Sequence, residues 1–220
     1  MRLCLGADLH EAGSRTAHVY FPTEGFISLL ASKSTTPGLE IALVGVEGML
    51  GAQLALGVNT SPLHAMVQGE GTAWRMSAAA FVRHLRTNPK LDQVLRRYVY
   101  VLLAQFATAA PCVRFHAIVP RLARWLLMSH DRAGTDCFRA THEFLAYMLG
   151  VRRAGVTEAA GALQKQGLIR YERGEMVISD RAGLEAAACA CYAADCSVHA
   201  DVMTAGVARP RQPPGAATPA

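Results

Sequence analysis

Residues 141–163 constrain this chain more than any other stretch. Thr141 offers a hydroxyl for a helix N-cap, Glu143 suits the positive end of a helix dipole, and Leu145, Met148 and Leu149 supply an apolar face. Gly150 stops that helix. A few residues later a second helix begins, with Val156, Ala159, Ala160 and Leu163 turned towards the first, and Ala146 and Gly150 are small where two helices would cross closely. This is helix-turn-helix spacing. A short glycine-containing turn sets the two helices at a wide angle, so the second can place its N-terminal residues in a DNA major groove while the first braces the backbone. Arg152 and Arg153 stand at that end, where a guanidinium bonds guanine O6 and N7 or a phosphate.

After Gly167 two short strands flank Arg173-Gly174, which reads as a β-hairpin wing with Arg170 and Arg173 placed for phosphate. The charge distribution agrees. Residues 1–82 hold four lysines and arginines against six acids, net −2, whereas residues 83–220 hold eighteen against eleven, net +7. A basic half suits a polyanionic partner; a solvated arginine-rich helical surface is the plainer alternative. DNA is the expected partner.

The chain ahead of this segment has two textures. From Arg15 to Trp74, short β-branched and aromatic runs at 18–21, 27–30, 40–44 and 63–67 are separated by Pro-Thr-Glu-Gly, Thr-Pro-Gly and Gly-Glu-Gly, the pattern of a sandwich or rolled barrel of many short strands. Helical text begins after Ser77. Residues 91–110 read as one long helix, with Leu91, Val94, Leu95, Val99, Leu102, Leu103 and Phe106 in a three-four repeat, too apolar to be satisfied by one buried face. It is either a central core helix or one that also packs on a second subunit, and self-association is preferred. A further helix, 117–130, has Ile118, Leu122, Trp125, Leu126 and Met128 apolar and Arg121 and Arg124 polar.

Composition sets limits on the remainder. With 51% hydrophobic and 18% charged residues in 220, the chain can bury a core and is not wholly disordered. No run of eighteen uncharged apolar residues and no secretory leader is read, so the expected location is the cytoplasm, without a membrane partner. Six scattered cysteines, Cys4, Cys112, Cys137, Cys189, Cys191 and Cys196, do not form a disulfide framework. Cys189-Ala190-Cys191 with Cys196 and His199 could ligate zinc or sense thiol oxidation, but the spacing is not a standard finger and they are read as helix-surface or packing cysteines; Cys112 could be a redox site at a dimer seam but is read as buried and apolar, and no metal site is expected. No nucleophile elbow, phosphate loop or other catalytic constellation appears, and no enzyme is expected.

The second half resembles the DNA-binding domain of the Crp/Fnr family of bacterial transcription regulators, through Thr141, Leu145, Ala146, Leu149, Gly150, Val151, Arg153, Val156, Ala159 and Leu163, then Gly167, Leu168, Ile169 and Gly174. The run 121–127 and, in the front half, 19–22 with Gly25 and Ser28 extend the similarity over about 5–192. The resemblance implies an α+β fold: an N-terminal cyclic-nucleotide-binding-like β-roll (double-stranded β-helix or jelly-roll-like) over 1–87, a dimerisation helix over 88–116 and a winged helix-turn-helix over 117–192; residues 193–220 are read as a disordered C-terminal tail, on the prolines at 210, 213, 214 and 219 of its last stretch, 205–220. It implies a homodimer on a palindromic operator, with RNA polymerase as a further partner. The DNA-contacting set is expected to be Thr141, Arg152, Arg153, Ala154, Thr157, Glu158, Lys165, Arg170 and Arg173.

Departures from the family pattern matter as well. Members that bind cyclic AMP neutralise its phosphate with an arginine, but here the equivalent stretch, 48–53 followed by 59–62, contains no cation, and none lies between Lys33 and Arg75. Cyclic AMP is therefore not the expected effector, and no cofactor is assigned. An iron-sulfur cluster would need several N-terminal cysteines, and only Cys4 is there. In the second helix the acid that commonly follows the base-reading arginine is Ala154, and the later arginine is Glu158, either an acceptor for cytosine N4 or a solvated helix charge. A protein-interaction module, in which the helix pair contacts protein, is the competing class.

Overall fold

The computed structural model describes residues 1–31 and 38–204. Its N-terminal half is a five-stranded antiparallel sheet ordered β1-β5-β3-β4, with β2 also on β5: β1 Arg2–Leu3, β2 Asp8–His10, β3 His18–Ala31, β4 Leu39–Val44 and β5 His64–Ser77. The many short strands expected here are instead dominated by two fourteen-residue strands that run side by side through their bends. The Pro22-Thr23-Glu24-Gly25 stretch, expected as a turn, is a run of bulges inside β3. Gly25 has φ 73°, and a Cβ there would stand 2.3 Å from the Gly69 carbonyl oxygen, so the strands can cross closely only with glycine at this point. Bulging bends the ribbon and wraps it into a roll.

Val19, Ile27, Leu29, Val44, Met49 and Ala65 fill the roll interior. Helix α1 (Ala78–Thr87), capped by the Ser77 hydroxyl, closes it with Phe81 and Leu85. Helix α2 (Pro89–Phe115) starts with Asn88 as N-cap and proline at the first position, a favourable combination because proline has no N–H to lose there. It buries Leu95, Tyr98, Val101 and Leu102 in the same core. The helix continues beyond residue 110 through Pro111, which sits on the exposed side. By length and mean hydropathy, 1.3 over eighteen residues, α2 is the one described helix of bilayer-spanning size, but one side of it is committed to the roll.

The second half is built on α3 (Ile118–Ala133), whose Leu122, Trp125, Leu126 and Leu127 pack with α4 (His142–Leu149), α5 (Arg153–Lys165) and α6 (Arg181–Ala187). A three-stranded sheet ordered β6-β8-β7 joins them: β6 Cys137–Arg139, β7 Ile169–Glu172 and β8 Glu175–Ile178. The wing hairpin is where the residue pattern placed it; β6 is additional, too short to leave a periodic signal. Leu30 of β3 enters this second core, which joins the halves.

Two expectations change, and two polar positions of α3 prove to be covered. The tail expected from 193 does not begin there: Cys191–Thr204 forms α7, packed along α2 with Val202 and Met203 against the roll core, and only 205–220 lies outside the described residues. Arg121 and Arg124, the polar positions of α3, are turned inward. Arg121 is 8% exposed and donates to the Leu149 carbonyl, and Arg124 donates to Asp195 Oδ2 at 2.6 Å, pairing α3 with α7. Gly150 is not a helix-crossing contact; φ there is 62°, and an added Cβ would meet Leu39 of β4.

Candidate nucleic-acid interface

The helix pair is set by local chemistry at both ends. Thr141 Oγ1 accepts from the Phe144 N–H at 3.2 Å to start α4, and Gly150 in the left-handed region returns its N–H to the last turn. The guanidinium of Arg121 holds the Leu149 carbonyl, an orphan at a helix C-terminus, so α3 orients the turn from below. Helix α5 then starts at Arg153, with Arg152 as its N-cap residue.

Burial divides α5 cleanly. Val156, Ala159, Ala160 and Leu163 are buried, while Arg152, Arg153, Ala154, Thr157 and Glu158 are exposed on the opposite side, Arg153 with 71% of its side chain free. Lys165 is also exposed but stands about 18 Å along the helix from Arg153, outside any cluster at the N-terminal end. Arg153 Nε lies 4.0 Å from Glu143 and Arg173 Nε 4.0 Å from Glu172; such exposed pairs hold a side chain only weakly.

The wing tip is a two-residue turn with φ 51° at Arg173 and 88° at Gly174, the conformation that matches strand twist in a tight hairpin. Arg173 is the only described residue other than glycine with positive φ, and its side chain is 91% free. Arg170 is exposed on β7, and Arg139 on β6 adds a cation absent from the expected set. Thr141 spends its hydroxyl on the cap while its methyl lies near the Gly174 turn. The structure thus gathers Arg152, Arg153, Ala154, Thr157 and Glu158 at one helix end, and Thr141, Arg170 and Arg173 on the wing side.

A residue outside the expected set joins these parts. The His142 ring stacks on Tyr171 of the wing, and its Nδ1 lies 3.0 Å from Thr157 Oγ1 on α5. Since the Thr157 hydroxyl donates to the Arg153 carbonyl at 3.1 Å, its oxygen is left to accept from Nδ1–H of His142. Periodicity could not have disclosed this contact, because it pairs residues twenty-nine positions apart across two elements.

In the roll, the loop facing α2 and α3 carries no free cation among the described residues. Met49, Leu50 and Ala52 are buried, the flanking Arg15 and Arg75 are exposed, and Glu47 Oε1 accepts from Arg132 Nε of α3 at 2.8 Å. That ion pair links the loop to the helix beneath the helix-turn-helix unit.

The chain thus joins a β-roll, a long helix and a winged helix-turn-helix. Residues 120–187 match the family model of the Crp-like helix-turn-helix domain. No curated protein matches the sequence. Among solved structures the fold is similar to FixK2 from Bradyrhizobium japonicum (13% identity, TM-score 0.72, covering 86% of this chain and 96% of that one). It is also similar to a Crp/Fnr-family regulator from Eubacterium rectale (15%, 0.68, 84% and 87%) and to a CRP-family regulator from Thermus thermophilus (17%, 0.67, 86% and 96%). The chain carries the fold of these Crp/Fnr-family structures, and its residues 120–187 match the Crp-like helix-turn-helix domain.

Proposed function

We propose that the protein is a homodimeric, sequence-specific DNA-binding transcription regulator acting in the cytoplasm. The observation that carries this reading is the division of α5: Val156, Ala159, Ala160 and Leu163 are packed inward, and Arg152, Arg153, Ala154, Thr157 and Glu158 are left uncovered beside the cationic wing tip. Arg153 is the base-reading side chain; Arg152, Arg170 and Arg173 neutralise phosphate; Thr157 and Glu158 contribute to base choice, and Lys165 reaches backbone phosphate at most.

Self-association is supported by a second feature. On α2 the exposed residues Gln93, Arg96, Tyr100, Leu103, Ala107, Ala110 and Arg114 recur in steps of three and four, the seam of a two-helix coiled coil, with Leu103 60% exposed. A two-fold along this helix would present two α5 helices to successive major-groove faces of a palindrome. In the roll, the absence of an inward cation among the described residues opposes a cyclic phosphate as effector.

Fluorescence anisotropy on an operator selected from random duplexes tests the reading. Arg153→Ala should cost about 1–3 kcal/mol of discrimination at one base pair, and retention of full specificity would remove Arg153 from that role. If the helix pair bound protein instead, affinity for DNA would be weak and contact with the partner nearly independent of salt.

A further inference from the structure

Four metal-ligating side chains converge away from the proposed DNA face, and the geometry points to a metal site: we infer that Cys112, His116, Cys189 and Cys191 bind one zinc-class divalent ion. Their ligand atoms all lie within 4.8 Å of one another. Cys112 and His116 are four residues apart at the end of α2, hence on one face of its last turn. Cys189 lies in the break between α6 and α7, where its N–H is tied to the Pro120 carbonyl at 3.3 Å, and Cys191, beyond Ala190, opens α7.

The spacings suit a tetrahedron. With zinc–sulfur bonds near 2.3 Å and zinc–nitrogen bonds near 2.0–2.1 Å, the edges of a Cys3His site are about 3.8 Å between sulfurs and about 3.6 Å from sulfur to nitrogen. The Cys112 and Cys189 sulfurs are 3.6 Å apart, and Cys191 Sγ lies 3.5 Å from His116 Nδ1. Contraction of the longer separations would complete the site.

Packing alone explains the group poorly. The three thiols are buried and form an apolar cluster of their own. A Cys112–Cys189 disulfide would leave Cys191 and His116 without a role. The spacing considered from sequence, with Cys196 and His199, is not what the fold assembles: Cys196 is exposed on α7, and neither residue belongs to the cluster. Loading exchanges three thiol protons for the ion, leaving one net negative charge, and the Arg124 guanidinium acts favourably on negative charge at all three sulfurs.

Four protein ligands and no open position describe a structural, non-catalytic centre. Its place gives it mechanical meaning. Only His116 and Ala117, both with extended backbone, separate α2 from α3, so an ion held by the end of α2 and the α6–α7 break would clamp this hinge from outside.

The test uses the full chain, purified reduced, stripped with chelator and titrated anaerobically with Co(II), then Zn(II). The expected result is one Co(II) per chain with the visible bands of a tetrahedral ion and near-ultraviolet thiolate charge transfer, displacement by Zn(II), and a rise in Tm on loading. Cys191→Ser should weaken binding more than the about 100-fold typical of losing a supporting outer-shell group. His116→Cys should keep a tetrahedral spectrum with stronger charge transfer, and Cys196→Ser should change nothing. An octahedral spectrum, no charge transfer, loss of binding in Cys196→Ser, or a Cys112–Cys189 disulfide persisting in the reduced protein would each overturn the assignment. Should Cys191→Ser fail to fold, the spectra of the unsubstituted chain and of His116→Cys decide.

Discussion

The imidazole of His142 lies flat on the ring of Tyr171, with centroids 4.2 Å apart and planes 16° from parallel. Through this stack and the hydrogen bond to Thr157, the first helix, the second helix and the wing meet at one side chain. Burial, then the neighbouring charge of Arg153, lowers the pKa of the ring from its ordinary value, so the stack is built around neutral imidazole.

That lowering has a signed consequence. As pH falls through 6.5 the unfolded chain takes up a proton that the folded one resists, so stability declines, and the loss is complete below the lowered folded pKa. His142→Gln should flatten this part of the profile, as read from urea unfolding at a series of pH values. An unchanged slope would mean that the ring is not held neutral by the fold.

Glu40 acts in the opposite direction. Burial raises its carboxyl to about 7, against the partial opposition of the Ser28 hydroxyl and of Arg124 and Arg132. Ser28 Oγ donates to Glu40 Oε2 at 2.7 Å and also contacts Gln68 Oε1. Between pH 4.5 and 7 the folded state holds the extra proton, so stability falls as pH rises across that range. Glu40→Gln should therefore stabilise the protein above neutrality by up to about 3 kcal/mol, measured as the shift in urea midpoint at alkaline pH, with little gain at acid pH.

The pair Arg124–Asp195 is buried on both sides, with 13% and 8% of the side chains exposed. Asp195→Ala leaves a buried guanidinium uncompensated and should cost about 3–5 kcal/mol. The double substitution Arg124→Met with Asp195→Leu should recover much of that loss in a double-mutant cycle. Additive losses would show that the two residues act independently.

Leu103 projects from the uncovered seam of α2. Leu103→Glu should convert a dimer into a monomer in sedimentation equilibrium while shifting the stability of the single chain by no more than about 0.5 kcal/mol. A dimer that survives this change would have its interface elsewhere.

Arg173 occupies a backbone conformation that glycine adopts without strain, so Arg173→Gly removes the charge and keeps the turn. The slope of log affinity against log salt should become shallower by about one, uniformly across operator sequences. A change confined to one base pair would mean that the wing reads sequence.

The winged helix-turn-helix was legible because its signals are local. Thr141 as cap, Gly150 as stop, the inward spacing of Val156, Ala159, Ala160 and Leu163, and the Arg173-Gly174 turn each depend on neighbours within a few positions. The roll was legible as strand-rich but not in its connectivity. Pro22 to Gly25 has turn composition, and only the pairing of β3 with β5 makes it a bulge. Helix α7 was read as tail because its apolar residues follow no clear stripe; it is ordered by α2 and by the Arg124–Asp195 pair, neither of which is adjacent in sequence.

By itself, then, the sequence determined the order of the roll, the long helix and the winged helix-turn-helix, the two-part organisation with its basic second half, and which end of α5 would carry arginines, since these follow from spacing, caps and charge along the chain. The tertiary structure decided the rest. It turned Arg121 and Arg124, the polar positions of α3, inward, set His142 on Tyr171, left one seam of α2 uncovered, and brought Cys112 and His116 to Cys189 and Cys191 across more than seventy residues. The physical reason is range: capping and periodicity act within a turn or two of chain, whereas burial, ion pairing and shared ligation depend on which distant surfaces meet once the cores have formed.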